Sequence, residues 1–224
     1  MPEGLINVNG ENVQALEIIF LLTMITLLPS LVIMMTSFAR FVISFSFLRS
    51  AMGTQQTPPN LVLVGLALFL TFYTMSPTIT RIQEEAYEPY VAEEISQEEF
   101  FERAAVPLAE FMTRNIKIST LEMFCDMAHV DMPETVNVDT VVETLPLRII
   151  VPAFMTCELS KAFTIGLLLY IPFVLIDVVV SCTLMSMGMV MLPPAMISAP
   201  FKLLLFVTLN GWELLFSTLV RGFN

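Results

Sequence analysis

Charged residues are scarce in this sequence. Asp, Glu, Lys and Arg together make up 14% of its 224 residues, whereas hydrophobic residues make up 56%. Ordinary soluble domains carry about 25% charged residues and are less apolar. The composition therefore excludes a typical soluble domain and predicts a membrane or membrane-associated protein, for which we expect no nucleic-acid partner.

The sequence also lacks the residues of common catalytic and metal sites. Histidine occurs once, at His129, and no Ser–His–acid set, zinc signature or nucleotide motif can be assembled. Cys125 lies four residues before His129, which is a metal-ligand spacing, but the remaining ligands are missing. We predict that the protein is not an enzyme, with no catalytic residue, no metal and no cofactor.

Cysteine is rare as well, and the N-terminus has no basic region. Two of the three cysteines, Cys157 and Cys182, lie in apolar runs, where a thiol behaves as a small hydrophobic group. They indicate neither an oxidising nor a reducing compartment. Because the opening MPEGLINVNGEN is not a secretory signal, we expect the first apolar helix to direct membrane insertion.

The charges that are present cluster in one segment, residues 81–144, which we call the acidic insert. It holds fifteen of the 21 acidic residues and four of the ten basic ones, so it accounts for the whole net charge of −11. Arg40 and Arg49 favour a cytoplasmic position for the first connector, because cytoplasmic loops are enriched in basic residues. The acidic insert is then expected on the extracytoplasmic, periplasmic side.

The pattern predicts an all-α, multi-pass membrane-associated fold with about four hydrophobic helices. Its expected parts are a polar N-terminal segment (1–17), a first apolar helical hairpin (18–80), the helical acidic insert (81–144) and a second apolar helical hairpin (145–224). The first apolar stretch, Ile18 to Leu48, fits either one kinked helix or two packed pieces. Further helices are expected over Leu61 to Met75 and Ala199 to Val220, and prolines mark kinks or boundaries: Pro146, Pro152 and Pro172.

Helix starts are predicted inside the acidic insert. Ser96 with Glu99, and Ser119 with Glu122, have the spacing of capping boxes. An apolar stripe at helical intervals follows the first of these: Phe100, Ala104, Leu108 and Phe111.

Four ionisable residues lie inside or beside apolar elements: Arg40, Glu158, Lys161 and Asp177. Charges at membrane depth are costly unless they pair or face a wet cavity. We therefore expect these helices to pack against other protein chains. For Asp177, a proton-relay role and a structural role at a subunit seam both stay open.

Long stretches of the sequence resemble the FliP family of flagellar type III export-gate proteins. They are LLTMITLLPSLVIMMTSFARFVISFSFLRSAMGTQQTPPN, GLALFLTFYTMSP, VPAFMTCELSKAFTIGLLLYIPFVLIDVVV, MGMVMLPPAMISAPFKLLLF and GWELLFSTLVRGF. The resemblance implies a bacterial inner-membrane protein of the flagellar basal body, required for export of flagellar proteins and for flagellum assembly.

The resemblance also implies partners. In such a gate about five copies of the chain join FliQ-like and FliR-like subunits in a helical oligomer, an arrangement that head-to-tail contacts produce when they do not close into a ring. Other membrane components of the export apparatus and unfolded exported flagellar proteins are the remaining expected partners.

The resemblance further implies site residues. The loop Met187, Gly188, Met189, Val190 and Met191 matches a family segment that closes the channel as a methionine gasket, with Val190 in place of a methionine common there. Pro193 and Pro194 would break the helix after it. Glu158, Asp177 and Arg40 are expected at contacts between subunits.

Two other classes of function stay open from the residues alone. A self-contained secondary transporter would use Glu158 and Asp177 to bind a coupling ion, although the two apolar halves show no internal repeat. A membrane enzyme would use the same carboxylates as acid and base.

Overall fold

A computed structural model of the chain describes residues 5–8, 11–54, 57–133, 135–189 and 191–223. Within these ranges the predicted all-α class is confirmed. The structure adds one short antiparallel hairpin, in which β1 (Leu5–Val8) pairs with β2 (Glu11–Gln14). The helices are α1 (Ala15–Met34), α2 (Phe38–Ala51), α3 (Asn60–Ile82), a π-helical turn (Gln83–Tyr87), α4 (Glu88–Val91), α5 (Gln97–Asn115), α6 (Ile118–Ala128), α7 (Val138–Thr144), α8 (Leu147–Ser186), α9 (Pro194–Thr208) and α10 (Gly211–Arg221).

The first apolar stretch forms two helices, which decides between the two alternatives that the sequence left open. α1 ends at Met34 and α2 begins at Phe38. Ser37, the residue before α2, and Arg40, inside its first turn, are buried. The break therefore lies in the protein interior, at the base of the charged site described below.

The prediction of one last apolar helix over Ala199 to Val220 is wrong. The structure has α9 and α10, bent by 63° against each other. Asn210 lies between them in the left-handed region, with φ of 49°. A Cβ added to the next residue, Gly211, would meet the ring of Phe206 at 2.3 Å, so only glycine fits at this corner.

Prolines have different effects along the second apolar half. Pro146 precedes α8 and marks its start, as predicted. Pro152 and Pro172 lie inside α8, which continues through both for 40 residues. α8 is therefore the longest described helix, and it contributes residues to both charged clusters described below.

One of the two predicted helix starts in the acidic insert is confirmed. The Ser96 side chain accepts a hydrogen bond from the backbone N–H of Glu99 at 3.3 Å, and α5 begins at the next residue. The start predicted at Ser119 is wrong, because α6 begins at Ile118 after an extended Lys117. Two extended residues, Ile116 and Lys117, separate α5 from α6 and displace the start.

Two described helical stretches are long and apolar enough to cross a membrane: Asn60–Val91 and Leu147–Ser186. The bent pair of α9 and α10 would make a third if it counts as one span. About four hydrophobic helices stay a prediction, because many side chains of α1 lie outside the described residues.

The buried apolar residues form two clusters, and α8 contributes to both. One cluster joins α2, α3, α9 and α10 around Phe41, Phe45 and Phe173. The other joins α5, α6 and α7 to the first turns of α8 around Met112, Ile150 and Phe154. Complete burial of one such side chain stabilises the fold by roughly 1.5–3 kcal/mol. The two clusters hold α8 on both sides of the charged site.

Candidate functional site

The centre of the candidate site is an ion pair between Arg40 on α2 and Glu158 on α8. The Arg40 Nε donates to Glu158 Oε2 at 2.6 Å, and Nη2 donates to Oε1. Arg40 is 1% exposed and Glu158 is not exposed at all. Two parallel hydrogen bonds between guanidinium and carboxylate are the strongest geometry for such a pair. They fix the register of α2 against α8.

Other groups complete the surroundings of Arg40. Its Nη1 donates to the carbonyl oxygen of Gly222 at 3.0 Å, and its Cζ lies 3.4 Å from the centre of the Phe223 ring. Cation–π contact of this kind strengthens when water is excluded. The guanidinium therefore also anchors the turn that follows α10.

A second cation approaches the same carboxylate. Lys161 Nζ lies 3.4 Å from Glu158 Oε1 and donates to the carbonyl oxygen of Asn115, at the end of α5, at 2.9 Å. Glu158 therefore faces two cations, and the cluster carries one net positive charge. It connects α2, α5 and α8.

A second charged cluster lies further along α8, around Asp177. Asp177 Oδ2 accepts from Lys202 Nζ of α9 at 2.7 Å, and Oδ1 accepts from Ser198 Oγ at 2.6 Å. Lys202 also donates to the carbonyl oxygen of Ala51, at the end of α2, at 3.1 Å. The Lys202 side chain is 8% exposed and the Asp177 side chain 40%. This cluster ties α9 to both α8 and α2.

The structure thus gives Arg40, Glu158 and Asp177 partners inside the chain, where we expected partners on neighbouring subunits. Arg40 and Glu158 are buried in the single chain, and a contact of either residue with another subunit stays a prediction. For Asp177, whose side chain is partly exposed, a further contact with another subunit stays a prediction.

The loop from Met187 to Met191 joins α8 to α9 and projects from the fold. Met187, Met189 and Met191 are 63%, 42% and 96% exposed. Gly188 has φ of +76° and ends α8 in a Schellman motif, in which its N–H bonds Met185 and the next N–H bonds Leu184. Val190 lies outside the described residues.

The two prolines after the loop start the next helix. Pro193 is the residue before α9, and Pro194 is its first residue, where a missing N–H costs nothing. The glycine and the two prolines therefore confine the methionine loop to a short reversal between two helices.

α8 carries an exposed apolar surface as well. Phe163, Leu167 and Leu175, for example, are 58%, 66% and 64% exposed. Exposed apolar area of this extent requires lipid or another protein surface to cover it. The chain therefore presents this face to a non-aqueous neighbour.

The residues weighed as metal ligands do not form a site. Cys125 is buried in the core of the acidic insert, and His129 ends α6 in the left-handed region. Among the described residues there is no group of three or more His, Cys, Asp or Glu side chains that could hold a metal ion.

Sequence reasoning missed several members of the site. Lys202, Ser198 and Phe223 were assigned no role, and their partners lie between 21 and 183 positions away along the chain. Lys202 carried one usable signal, because it is the only charged residue of α9. An isolated lysine in an apolar helix needs a carboxylate partner, and Asp177 is the matching acid in α8.

Fold and site together define a class, an all-α protein of membrane type with its core charges paired inside the chain and an exposed methionine loop. The model of the FliP family matches residues 21–219, and the chain belongs to that family. It is 48% identical to the flagellar biosynthetic protein FliP of Aquifex aeolicus (strain VF5), over 96% of this chain and 88% of the relative. It is 45% identical to the protein of that name in Bacillus subtilis (strain 168), over 95% of this chain and 94% of the relative, and 47% identical to the one in Pectobacterium carotovorum, over 93% and 79%.

Proposed function

We propose that the chain is a structural subunit of the bacterial flagellar protein export gate, needed for export of flagellar proteins and for flagellum assembly. The observation that carries the proposal is the continuous family match over residues 21–219, with relatives named flagellar biosynthetic protein at 45–48% identity. The apolar helices suit a place in the inner membrane at the flagellar basal body.

The methionine loop is proposed as the gasket of this gate. Its support is the exposure of Met187, Met189 and Met191 on a reversal whose backbone is held by Gly188 and Pro193. Methionine side chains are unbranched and adapt to irregular shapes. A ring of such loops from several copies would close against water and ions and still yield to a polypeptide.

The exposed face of α8 supports assembly with other chains. We propose that copies of this chain, about five by analogy and in a helical arrangement, cover it together with FliQ-like and FliR-like subunits. Unfolded flagellar proteins would then pass along the shared axis. The acidic insert, residues 81–144, is proposed to face the periplasmic side.

The role proposed here is structural and not catalytic. The buried carboxylate of Glu158 is held by two hydrogen bonds from Arg40 and by Lys161, which leaves it no free position for acid–base work. The two charged clusters instead fix helices on either side of the methionine loop.

The test combines export with assembly. In the native host, deletion of the gene should abolish secreted flagellin and motility, and the intact chain should restore both. The chain extracted in mild detergent with its two presumed small partners should run as one discrete multimer. Normal flagellin secretion without the chain would contradict the export role, and a monomer with and without the partners would contradict the shared gate.

A further inference from the structure

The acidic insert carries an exposed aromatic patch at one corner, where the π-helical turn, α4 and the first turns of α5 meet. Tyr87 is 55% exposed, Val91 62% and Phe101 58%, and Tyr90 is 40% exposed. We call this the aromatic corner. In a segment with so many charged residues, apolar side chains normally turn inward, so their exposure calls for an explanation.

The members of the aromatic corner form one surface. Tyr87, Tyr90 and Val91 are three and four residues apart on a continuous helical stretch, so they share a face. The ring of Phe100 joins this face to α5, because its centre lies 5.1 Å from that of Tyr90 and 5.3 Å from that of Phe101. The rings therefore run from one helix to the next without a gap.

Exposed carboxylates lie close in sequence to the residues of the aromatic corner, and four of them have no cation of their own: Glu84, Glu94, Glu98 and Glu102. Glu98 and Glu102 are four residues apart on α5, where like charges repel each other. Every Lys and Arg of the chain lies in the described residues, and none forms an ion pair with these four acids.

The basic residues nearby are already engaged. Arg81 is bound to Glu85 and Glu110, and Arg103 is bound to Glu99. The acids of the aromatic corner therefore keep an uncompensated negative charge around an apolar centre. A ligand that compensates both features has to offer cations and flat or apolar surface together.

We propose that the aromatic corner docks an arginine-bearing segment of another protein. The guanidinium group is planar, stacks on aromatic rings and binds carboxylates through two parallel hydrogen bonds, and all three properties fit this surface. Two identical corners repel each other, because both carry the same negative charge, and a contact of the corner with another face of a copy is an outcome of the test below. The inference goes beyond the proposed export role and concerns the acidic insert alone.

The test measures binding of a fluorescently labelled peptide that repeats Arg-Ser-Ala to the full chain in mild detergent, by fluorescence anisotropy. One variant combines Glu84→Gln, Glu94→Gln, Glu98→Gln and Glu102→Gln. The matched control removes the same number of exposed acids elsewhere in the insert, with Glu122→Gln, Asp126→Asn, Asp131→Asn and Glu143→Gln. Helix content by circular dichroism verifies that both variants fold.

We expect the corner variant to weaken peptide binding about tenfold or more, since four exposed ion pairs are lost together, and the control to change it less than about twofold. A second variant, Tyr87→Ser with Phe101→Ser, should weaken binding without any change of charge. A peptide with Lys in place of Arg should bind more weakly.

Three results would overturn the proposal. Equal weakening by the corner and control variants would reduce the effect to the general negative charge of the insert. Unchanged binding by the aromatic variant would remove the rings from the site. Failure of the peptide to bind, together with a multimer that only the corner variant dissociates, would assign the corner to a contact between copies of this chain.

Discussion

Arg40 and Glu158, 118 positions apart in the sequence, meet in the protein interior with both side chains almost completely shielded from water. Each charge was removed from water on folding, and that cost is offset only by their mutual contact and by the hydrogen bonds around them. The pair therefore favours one packing arrangement of α2 on α8 over others more strongly than a surface ion pair does.

Glu158→Gln should lower the free energy of unfolding by about 3–5 kcal/mol, because it leaves a buried cation without its partner. Arg40→Met should cost less, since Lys161 still lies 3.4 Å from Glu158. The double variant Arg40→Met with Glu158→Leu should be more stable than Glu158→Gln alone. Denaturant unfolding in mild detergent, followed by circular dichroism, measures all three.

The matched control for these variants is Glu99→Gln, which breaks the exposed pair of Glu99 with Arg103. Exposed pairs of this kind contribute about 0–1 kcal/mol. If Glu158→Gln cost no more than this control, the Arg40–Glu158 pair would not be shielded from water in the folded protein.

The sequence was sufficient to predict the all-α fold class and one helix start inside the acidic insert. It was not sufficient to predict contacts between residues that lie far apart along the chain. The start at Ser96 was predictable because a serine side chain and a glutamate three positions later satisfy local N–H groups. The pairing of Arg40 with Glu158 was not predictable, since no local pattern links them. The bend at Asn210 was missed because an apolar run on both sides concealed one left-handed residue.

Substitutions in the second charged cluster distinguish a structural role of Asp177 from a proton-carrying role. Asp177→Asn should weaken export and lower the free energy of unfolding by about 1–3 kcal/mol, because buried Lys202 keeps only the carbonyl of Ala51. Adding Lys202→Met should recover a large part of both losses, since the unpaired cation is then gone. Secreted flagellin and denaturant unfolding measure the two effects.

A proton carrier predicts the opposite for the double variant. If Asp177 had to bind and release protons, Asp177→Asn with Lys202→Met would stay as inactive in export as Asp177→Asn alone, even where stability returned.

Two glycines inside helices should respond to alanine with opposite signs. Gly166 on α8 lies against Phe47 of α2, and an added Cβ would meet that ring at 2.5 Å, so Gly166→Ala should destabilise the fold by about 1–3 kcal/mol. Gly65 on α3 has nothing within 4 Å of the same position, so Gly65→Ala should stabilise it by about 0.5–1 kcal/mol. Thermal unfolding in detergent compares them, and a Gly166→Ala variant as stable as the unchanged chain would contradict the close packing of α2 on α8.

The three cysteines should differ in their reaction with maleimide. Cys182 on α8 is exposed, whereas Cys125 and Cys157 are buried. Burial raises the pKa of the Cys125 thiol, and the neighbouring Asp126 adds to the effect, so less of it is thiolate at neutral pH. In the isolated chain Cys182 should therefore be labelled first, and labelling of Cys125 should accelerate only at higher pH.

The same measurement reports on assembly. When the chain is produced with its presumed partners, Cys182 should become protected if the exposed face of α8 is covered by protein. Equal labelling of Cys182 with and without the partners would place this face outside the contacts between subunits.

The methionine loop gives the most direct test of the gasket. Met189→Ala with Met191→Ala shortens two side chains that project from the fold. This double variant should raise ion leakage through the assembled gate. Its free energy of unfolding should change by less than about 0.5 kcal/mol, as is usual for exposed positions. Leucine at both positions keeps most of the apolar volume and should keep the gate tighter than alanine does.

The matched control is Met185→Ala with Met196→Ala. These two methionines lie on the flanking helices, and their side chains are 67% and 75% exposed. Because those side chains leave from helices rather than from the Gly188 reversal, their loss should not raise leakage, and equal leakage in both double variants would assign the closure to methionine content in general rather than to the loop.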